Sequence, residues 1–220
     1  MRVAVAMTTA PRPRPSIEAA VASLRSAGGP TPIVVADRPD KPVGILATWH
    51  RALTAVAADA QADVWLLLQD DVTWPTGGWG RMMTALHAVW SLGSCGYASL
   101  YTGPRVHGAL MDASRAGHPD GEPVTGDWYR SDRLRPFLSK GRWAGALAWA
   151  IPAAVGRVLL ADRAFHRDCH TYTRSLDHHT TMACVRLGYP TYTLRPSLVS
   201  HELGAGNRAP RLVPAVAEAQ

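Results

Sequence analysis

The chain opens with short apolar runs alternating with helix-period stripes. Val3 to Met7 is a compact apolar run that reads as a first strand. The prolines of Thr8-Thr9-Ala10-Pro11-Arg12-Pro13-Arg14-Pro15 exclude helix and form a stiff loop. Ser16 is a good N-cap, and Ile17, Val21 and Leu24 follow at helical spacing until Gly28-Gly29 ends the segment. Ile33 to Ala36 is a second strand, ending in Asp37. Ile45, Trp49, Leu53 and Val56 mark one face of a helix from about Gly44 to Ala58. Val64-Trp65-Leu66-Leu67-Leu68 is apolar on both alternating faces, as a central strand covered on each side must be. The β-α-β-α-β order predicts an α/β fold with a mostly parallel central sheet flanked by helices.

Beyond Asp71 the periodicity loosens. Trp79, Met82, Met83, Leu86 and Val89 predict a helix, and Tyr97 to Tyr101 a strand. Residues 102–142 are rich in Gly, Pro, Asp and Arg, and read as a long loop, functional or mobile. Order returns with a strand from Trp143 to Ile151, stopped by Pro152, and a helix through about Ala161. A further helix spans about Ser175 to Leu187 and ends at Gly188. Tyr192 to Leu194 and Leu198 to Ser200 look extended, and residues 205–220 form a tail.

Composition narrows the class. With 220 residues, 47% hydrophobic and 18% charged, the chain is neither disordered nor fibrous, and its length suits one domain spanning 1–220. No apolar run approaches the roughly 20 residues of a membrane helix. The N-terminal apolar stretch is too short for a secretory leader. Cys95, Cys169 and Cys184 are scattered, which argues against a disulfide scaffold and for a reducing, cytoplasmic setting. Net charge is +6, yet only two of the 23 basic residues are lysines. Arginine dominance with abundant Ala, Val, Gly and Pro is first a compositional signal. The cluster Arg130, Arg133, Arg135, Lys140 and Arg142 keeps DNA open as a minority partner.

In open parallel sheets ligands bind beyond the carboxyl ends of strands. Three such ends carry informative residues: Thr8-Thr9, Asp37 and Gln69-Asp70-Asp71. GxGxxG after the first strand, GxxxxGK[ST] and GxSxG are all absent, which disfavours Rossmann dehydrogenases, P-loop NTPases and α/β-hydrolases. Adjacent carboxylates closing a buried strand are costly unless a cation or hydrogen-bond donors compensate them. Their oxygens suit Mg²⁺ or Mn²⁺, which leave positions open for substrate phosphates. The plainer alternative is a strand terminator bonded to a turn backbone.

Strand, Thr-bearing loop, helix, strand ending in Asp, helix, and an apolar strand running into Leu66-Leu67-Leu68-Gln69-Asp70-Asp71-Val72 resemble the nucleotide-sugar half of a GT-A glycosyltransferase. Gly44-Ile45-Leu46-Ala47-Thr48-Trp49-His50-Arg51-Ala52-Leu53 resembles the family's segment before the acidic strand, without its usual Asn. Gly145 to Pro152 resembles its small-residue acceptor-side strand. Asp177, with Pro196-Ser197-Leu198-Val199-Ser200-His201, resembles its late acidic residue and closing segment. The resemblance implies a single GT-A-like (Rossmann-like) domain with a nucleotide-sugar half at 1–72 and an acceptor half at 73–204. It implies a metal-dependent transfer of sugar from a nucleotide sugar, UDP by default, to a hydroxyl acceptor. That acceptor is a saccharide, a small molecule or a hydroxylated DNA base.

The implied roles are Asp71 and His201 as metal ligands, with Asp70 on ribose or behind the metal, and Asp177 as general base of an inverting reaction. Because Gln69 stands where the family usually has an acid, the direct ligand falls on Asp71. Asp37 is a candidate for base or ribose, and Thr8, Thr9 and Arg12 for base and phosphate. Trp128, Tyr129 and Trp143 are candidates for stacking on a sugar, against core packing or a lid. His178 and His179 are candidate acceptor contacts. His166, Cys169, His170, His178, His179 and Cys184 also admit a zinc reading, although their spacing fits no familiar finger. The rival functions are a nucleotidyltransferase on a related scaffold and a non-catalytic zinc- or nucleic-acid-binding module.

Overall fold

A computed structural model describes residues 1–9, 17–37, 44–133, 147–171 and 176–201. In chain order the elements begin with β1 (Val3–Thr9), α1 (Ile17–Ser26), β2 (Ile33–Ala36), α2 (Ile45–Ala57), β3 (Val64–Gln69), β4 (Val72–Thr73) and α3 (Gly78–Trp90). There follow β5 (Tyr97–Ser99), α4 (Pro104–Arg115), a 3₁₀ turn at Pro119–Gly121, β6 (Pro123–Thr125) and β7 (Trp128–Arg130). The remainder comprises β8 (Ala148–Pro152), α5 (Ala153–Ala161), α6 (Arg163–Thr171), α7 (Leu176–Arg186), β9 (Thr191–Leu194) and β10 (Ser200–His201). Ser16, the expected N-cap of α1, lies outside the described residues. Among those residues, no helix is long and apolar enough to cross a membrane.

The fold is mixed α/β around an eight-stranded sheet in the order β2-β1-β3-β8-β5-β9-β7-β6. The expected mostly parallel sheet is corrected to a mixed one. β1 pairs parallel with β2 and β3, and β5 with β9, but β8 runs antiparallel to both β3 and β5. β7 is likewise antiparallel to β9 and to β6. The direction of β8 is invisible in its sequence, because a strand covered on both faces is apolar whichever way it runs.

β3 shows why the sheet is double-faced. Trp65 and Leu67 point into one core with Trp49 of α2, Leu159 of α5, Phe165 of α6 and Cys184 of α7. Val64, Leu66 and Leu68 point into the other, with Leu24 of α1 and Met82, Leu86 and Val89 of α3. Period-two alternation in a fully apolar run thus feeds two helical layers. On the first face Trp149 stands edge-on to Trp49 (centroids 5.3 Å apart) and stacks on Tyr97 (4.2 Å).

The second correction concerns residues 102–142, expected as loop. Through Arg130 the segment is largely structured. Val106, Ala109, Leu110 and Ala113 form an apolar stripe at helical spacing, and α4 buries it in a small cluster closed by the ring of Tyr129. Pro104 at the first turn suits a helix start, where its missing N–H costs nothing.

α6, which the sequence reading did not anticipate, is fastened at its start. Asp162 Oδ1 accepts from the Phe165 amide at 2.7 Å, and the same carboxylate takes two bonds from Arg186 of α7, at 2.9 and 2.6 Å. The Arg186 guanidinium holds the Asp162 carboxyl down at about 2. Because the folded value lies below the unfolded one, this stabilisation is complete above roughly pH 4 and is lost as pH falls toward 2. Asp162→Ala is expected to lower stability by ~1–2 kcal/mol through the lost cap and strap. Urea unfolding at pH 7 and pH 3 reads it, with the mutant–wild-type gap narrowing at the lower pH.

Candidate functional site

The carboxyl ends of β2, β1 and β3 lie side by side, and their terminal residues bond to one another. Register pairs Thr8 with Gln69, and the Thr8 hydroxyl donates to the Leu68 carbonyl at 3.2 Å. The Thr9 hydroxyl donates to Asp70 Oδ2 at 2.6 Å, which fixes that carboxylate at the sheet edge. Thr9 O in turn accepts from the Asp37 amide at 2.8 Å, and Asp37 Oδ2 accepts from the Gly44 amide at the entry to α2, at 3.2 Å. Gly44 takes a φ of 89° there, a conformation that favours glycine. Thr8, Thr9, Asp37 and Asp70 therefore form one continuous rim.

Asp71 is placed by a second device. After β3 the chain turns into β4, which pairs antiparallel with β10 so that His201 lies opposite Val72. This brings His201 Nε2 to 3.0 Å from Asp71 Oδ2, with the carboxylate buried and the imidazole half-buried. The returning segment is pinned twice: the Leu198 amide donates to the Leu100 carbonyl at 2.9 Å, and the Thr102 amide to Ser197 Oγ at 2.8 Å. Tyr101 belongs to the same edge. Burial raises its phenol, and the nearby Asp71 carboxylate raises it further. The sequence reading missed Tyr101, which the strand-end rule would have found had it been applied to β5 as well.

Among the described residues, no group of three or more His, Cys, Asp or Glu side chains is placed to hold a metal ion. Asp71 and His201 nevertheless suit a partial site. Two neighbouring ligands of an octahedral ion at about 2.1 Å stand about 3.0 Å apart, and Mg²⁺ commonly takes only one or two protein ligands beside phosphates and water. An oxygen and an imidazole nitrogen are also compatible with Mn²⁺.

The remaining candidates are distributed differently. Asp177 lies half-buried in the first turn of α7, in the opposite helical layer from α1 and α3. Its backbone carbonyl accepts from the Thr181 hydroxyl at 2.6 Å, and its carboxylate adds to the burial that raises the Tyr97 phenol far above its ordinary value. His178 and His179 follow with rings 5.4 Å apart, and His179 Nδ1 is 3.8 Å from Asp168 Oδ2 of α6. Trp128 is corrected from a stacking candidate to a core residue. It is 1% exposed and its indole donates to the Ala85 carbonyl at 2.8 Å. Tyr129 packs on α4. Arg12 and Trp143 lie outside the described residues.

Two cluster expectations also change. Arg130 makes a forked contact with Asp132, at 3.0 and 3.1 Å, which neutralises it within the fold. Arg133 is exposed, while Arg135, Lys140 and Arg142 lie outside the described residues. Cys169 and Cys184 are buried free thiols, pushed up to about 12 chiefly by burial, so neither supplies a thiolate at neutral pH. Among the described residues, no group of three or more ligand side chains that includes either cysteine is placed to hold a metal ion.

No protein-family model matches the chain, and no curated protein matches it. Among solved structures it is similar to A197 from STIV, with a TM-score of 0.46 and 10% identity over 93% of this chain and 87% of that one. A likeness that distant bears on neither activity nor ligand.

Proposed function

We propose that the chain is a metal-dependent glycosyltransferase of GT-A type, moving a sugar from a nucleotide sugar, UDP-linked by default, to a hydroxyl acceptor. The observation that carries this reading is the 3.0 Å approach of Asp71 and His201 at the end of the central strand β3, beside the Thr9–Asp70 bond. Asp71 and His201 would hold Mn²⁺ or Mg²⁺, which when bound supplies positive charge to the diphosphate as it leaves. Asp70, held by Thr9, presents an acceptor to a ribose hydroxyl. Asp37, at the end of β2 beside them, serves base or ribose, and Thr8 keeps β1 and β3 in step beneath them. Asp177 takes the acceptor proton in an inverting reaction, with His178 and His179 on the acceptor side. The acceptor is a saccharide or a small molecule, with DNA the minority alternative.

A donor-hydrolysis screen across nucleotide sugars, with and without Mn²⁺, tests the reading. The expected result is Mn²⁺-dependent release of nucleoside diphosphate and free sugar. No release from any donor, or a product that retains the nucleotide, overturns it, the latter in favour of a nucleotidyltransferase.

A further inference from the structure

Three imidazoles meet where α6 packs on α2. His50 projects from α2, and His166 and His170 project from successive turns of α6, an i, i+4 pair on one helix face. Their ring centroids are 5.1 Å (His50–His166), 5.7 Å (His50–His170) and 4.5 Å (His166–His170) apart. His50 is half-buried, with the Phe165 ring 6.3 Å away, and its Nε2 is shielded from solvent with no hydrogen-bond partner among the described residues. His166 and His170 are exposed. The charges around the cluster are of like sign or already engaged. On α6, Arg163 and Arg167 add positive charge, and Asp168 stands 3.8 Å from both Arg167 Nε and His179 Nδ1 of α7. Asp162, just before α6, is held by Arg186 of α7. α7 also carries His178 beside His179, and Asp177, whose charge acts on Tyr97. From α2, Arg51 donates to the Ala36 carbonyl, and from α5, Arg157 lies over Trp65. Among the described residues, no carboxylate forms an ion pair with any of the three rings.

From this juxtaposition we propose that His50, His166 and His170 form a pH-sensitive latch: neutral rings let α6 seat on α2, and their protonation in mildly acid solution loosens it. His50 is the sensing member. A proton on its shielded ring has no acceptor to compensate it and faces two more imidazoles close by. Burial, then His166 and His170, accordingly lower its basicity. Opening α6 returns the ring to water, where an imidazole titrates near pH 6.5. A base that is weaker in the closed form than in the open one takes its proton preferentially when open. Closure is therefore fully favoured above about pH 6.5 and is lost progressively as pH falls below it. Phe165 and Cys169, buried on the inward side of α6, oppose the opening and keep it local. The Asp162–Arg186 strap is lost only below roughly pH 4, so α6 stays tethered at its start while its histidine-bearing turns loosen. The latch is independent of the glycosyltransferase reading, which uses neither α6 nor His50.

The test is amide hydrogen exchange of the full chain at pH 7.5 and 5.5, read by mass spectrometry and corrected for the intrinsic pH dependence of exchange. The open fraction of α6 is expected to rise about threefold to tenfold at the lower pH, one proton taken up on opening giving at most about tenfold per pH unit. Protection of α1 and α3, in the opposite helical layer, stays unchanged. His50→Gln, with its fold confirmed by circular dichroism, abolishes the rise. The double variant His166→Gln/His170→Gln, at two exposed positions, reduces the rise while keeping α6 closed at pH 7.5. Equal protection of α6 at the two pH values overturns the proposal. So does an undiminished rise in either variant, or a rise shared equally by α1 and α3. Mn²⁺-dependent donor hydrolysis reads the acidic rim instead, so the two proposals fail separately.

Discussion

Asp71→Asn is expected to reduce Mn²⁺-dependent donor turnover by about a thousandfold, equivalent to ~4 kcal/mol of lost transition-state stabilisation. The substitution keeps the shape of the side chain and removes only its charge, so the turn from β3 into β4 is retained. Two features make the effect large. The carboxylate is 4% exposed, so bulk water does little to screen its charge from a cation beside it. Its neighbour His201 is neutral as a ligand and cannot replace the missing charge. The companion variant His201→Gln keeps the charge and loses one donor. It is expected to raise the Mn²⁺ concentration for half-maximal activity while costing turnover only about tenfold to a hundredfold. Steady-state kinetics over a Mn²⁺ series, with circular dichroism to confirm folding, separate the two effects. Asp71→Asn with wild-type kinetics would leave the acidic pair as a strand terminator and nothing more.

How much of the fold is legible in the sequence depends on how strongly each segment constrains its surroundings. β1, α2 and β3 are legible because period and length agree: an apolar run of about five residues is too short for a buried helix and suits a covered strand, and Ile45, Trp49, Leu53 and Val56 repeat at helical spacing. α4 was legible in principle, since Val106, Ala109, Leu110 and Ala113 repeat at three and four residues. The surrounding Gly103, Pro104, Gly108 and Gly117 masked it. β8 marks a physical limit, because hydrophobicity records coverage and not direction. The rim residues Thr8, Thr9, Asp37 and Asp70 were found by topology alone, as ends of neighbouring strands. The Asp71–His201 approach was expected from family resemblance, and the β4–β10 pairing is what produces it. Trp128 failed as a ligand candidate because an aromatic flanked by Gly126 and Asp127 looks exposed, whereas the strand it begins lies over α3.

Gly156→Ala is expected to destabilise the chain by ~3 kcal/mol or more, the upper end of the usual cost of overpacking. A methyl group built on Gly156 of α5 would stand 2.1 Å from Trp65 Cε3 and 2.2 Å from Cζ3, well inside van der Waals contact. Neither partner can yield cheaply. Trp65 is fully buried, belongs to the central strand and has the Arg157 guanidinium 5.8 Å from its ring centroid. α5 is held at its start by the bond from the Ala153 amide to the Asp63 carbonyl at 2.9 Å. Moving the indole would displace β3, and β3 carries Asp70 and Asp71 at its far end, so activity should fall together with stability. The intrinsic preference of a helix for alanine works in the opposite direction by only about 1 kcal/mol and does not offset the clash. Gly80→Ala supplies the control. It lies near the start of α3, is exposed and has nothing within 4 Å of the added carbon, so helix propensity acts alone and stability should rise by up to ~1 kcal/mol. At this chain length the two variants should differ in melting temperature by roughly 8–16 °C. Equal denaturation midpoints for Gly156→Ala and wild type would mean that α5 does not seat against Trp65, and the close helix-on-strand contact that sets the height of the central strand would have to be redrawn.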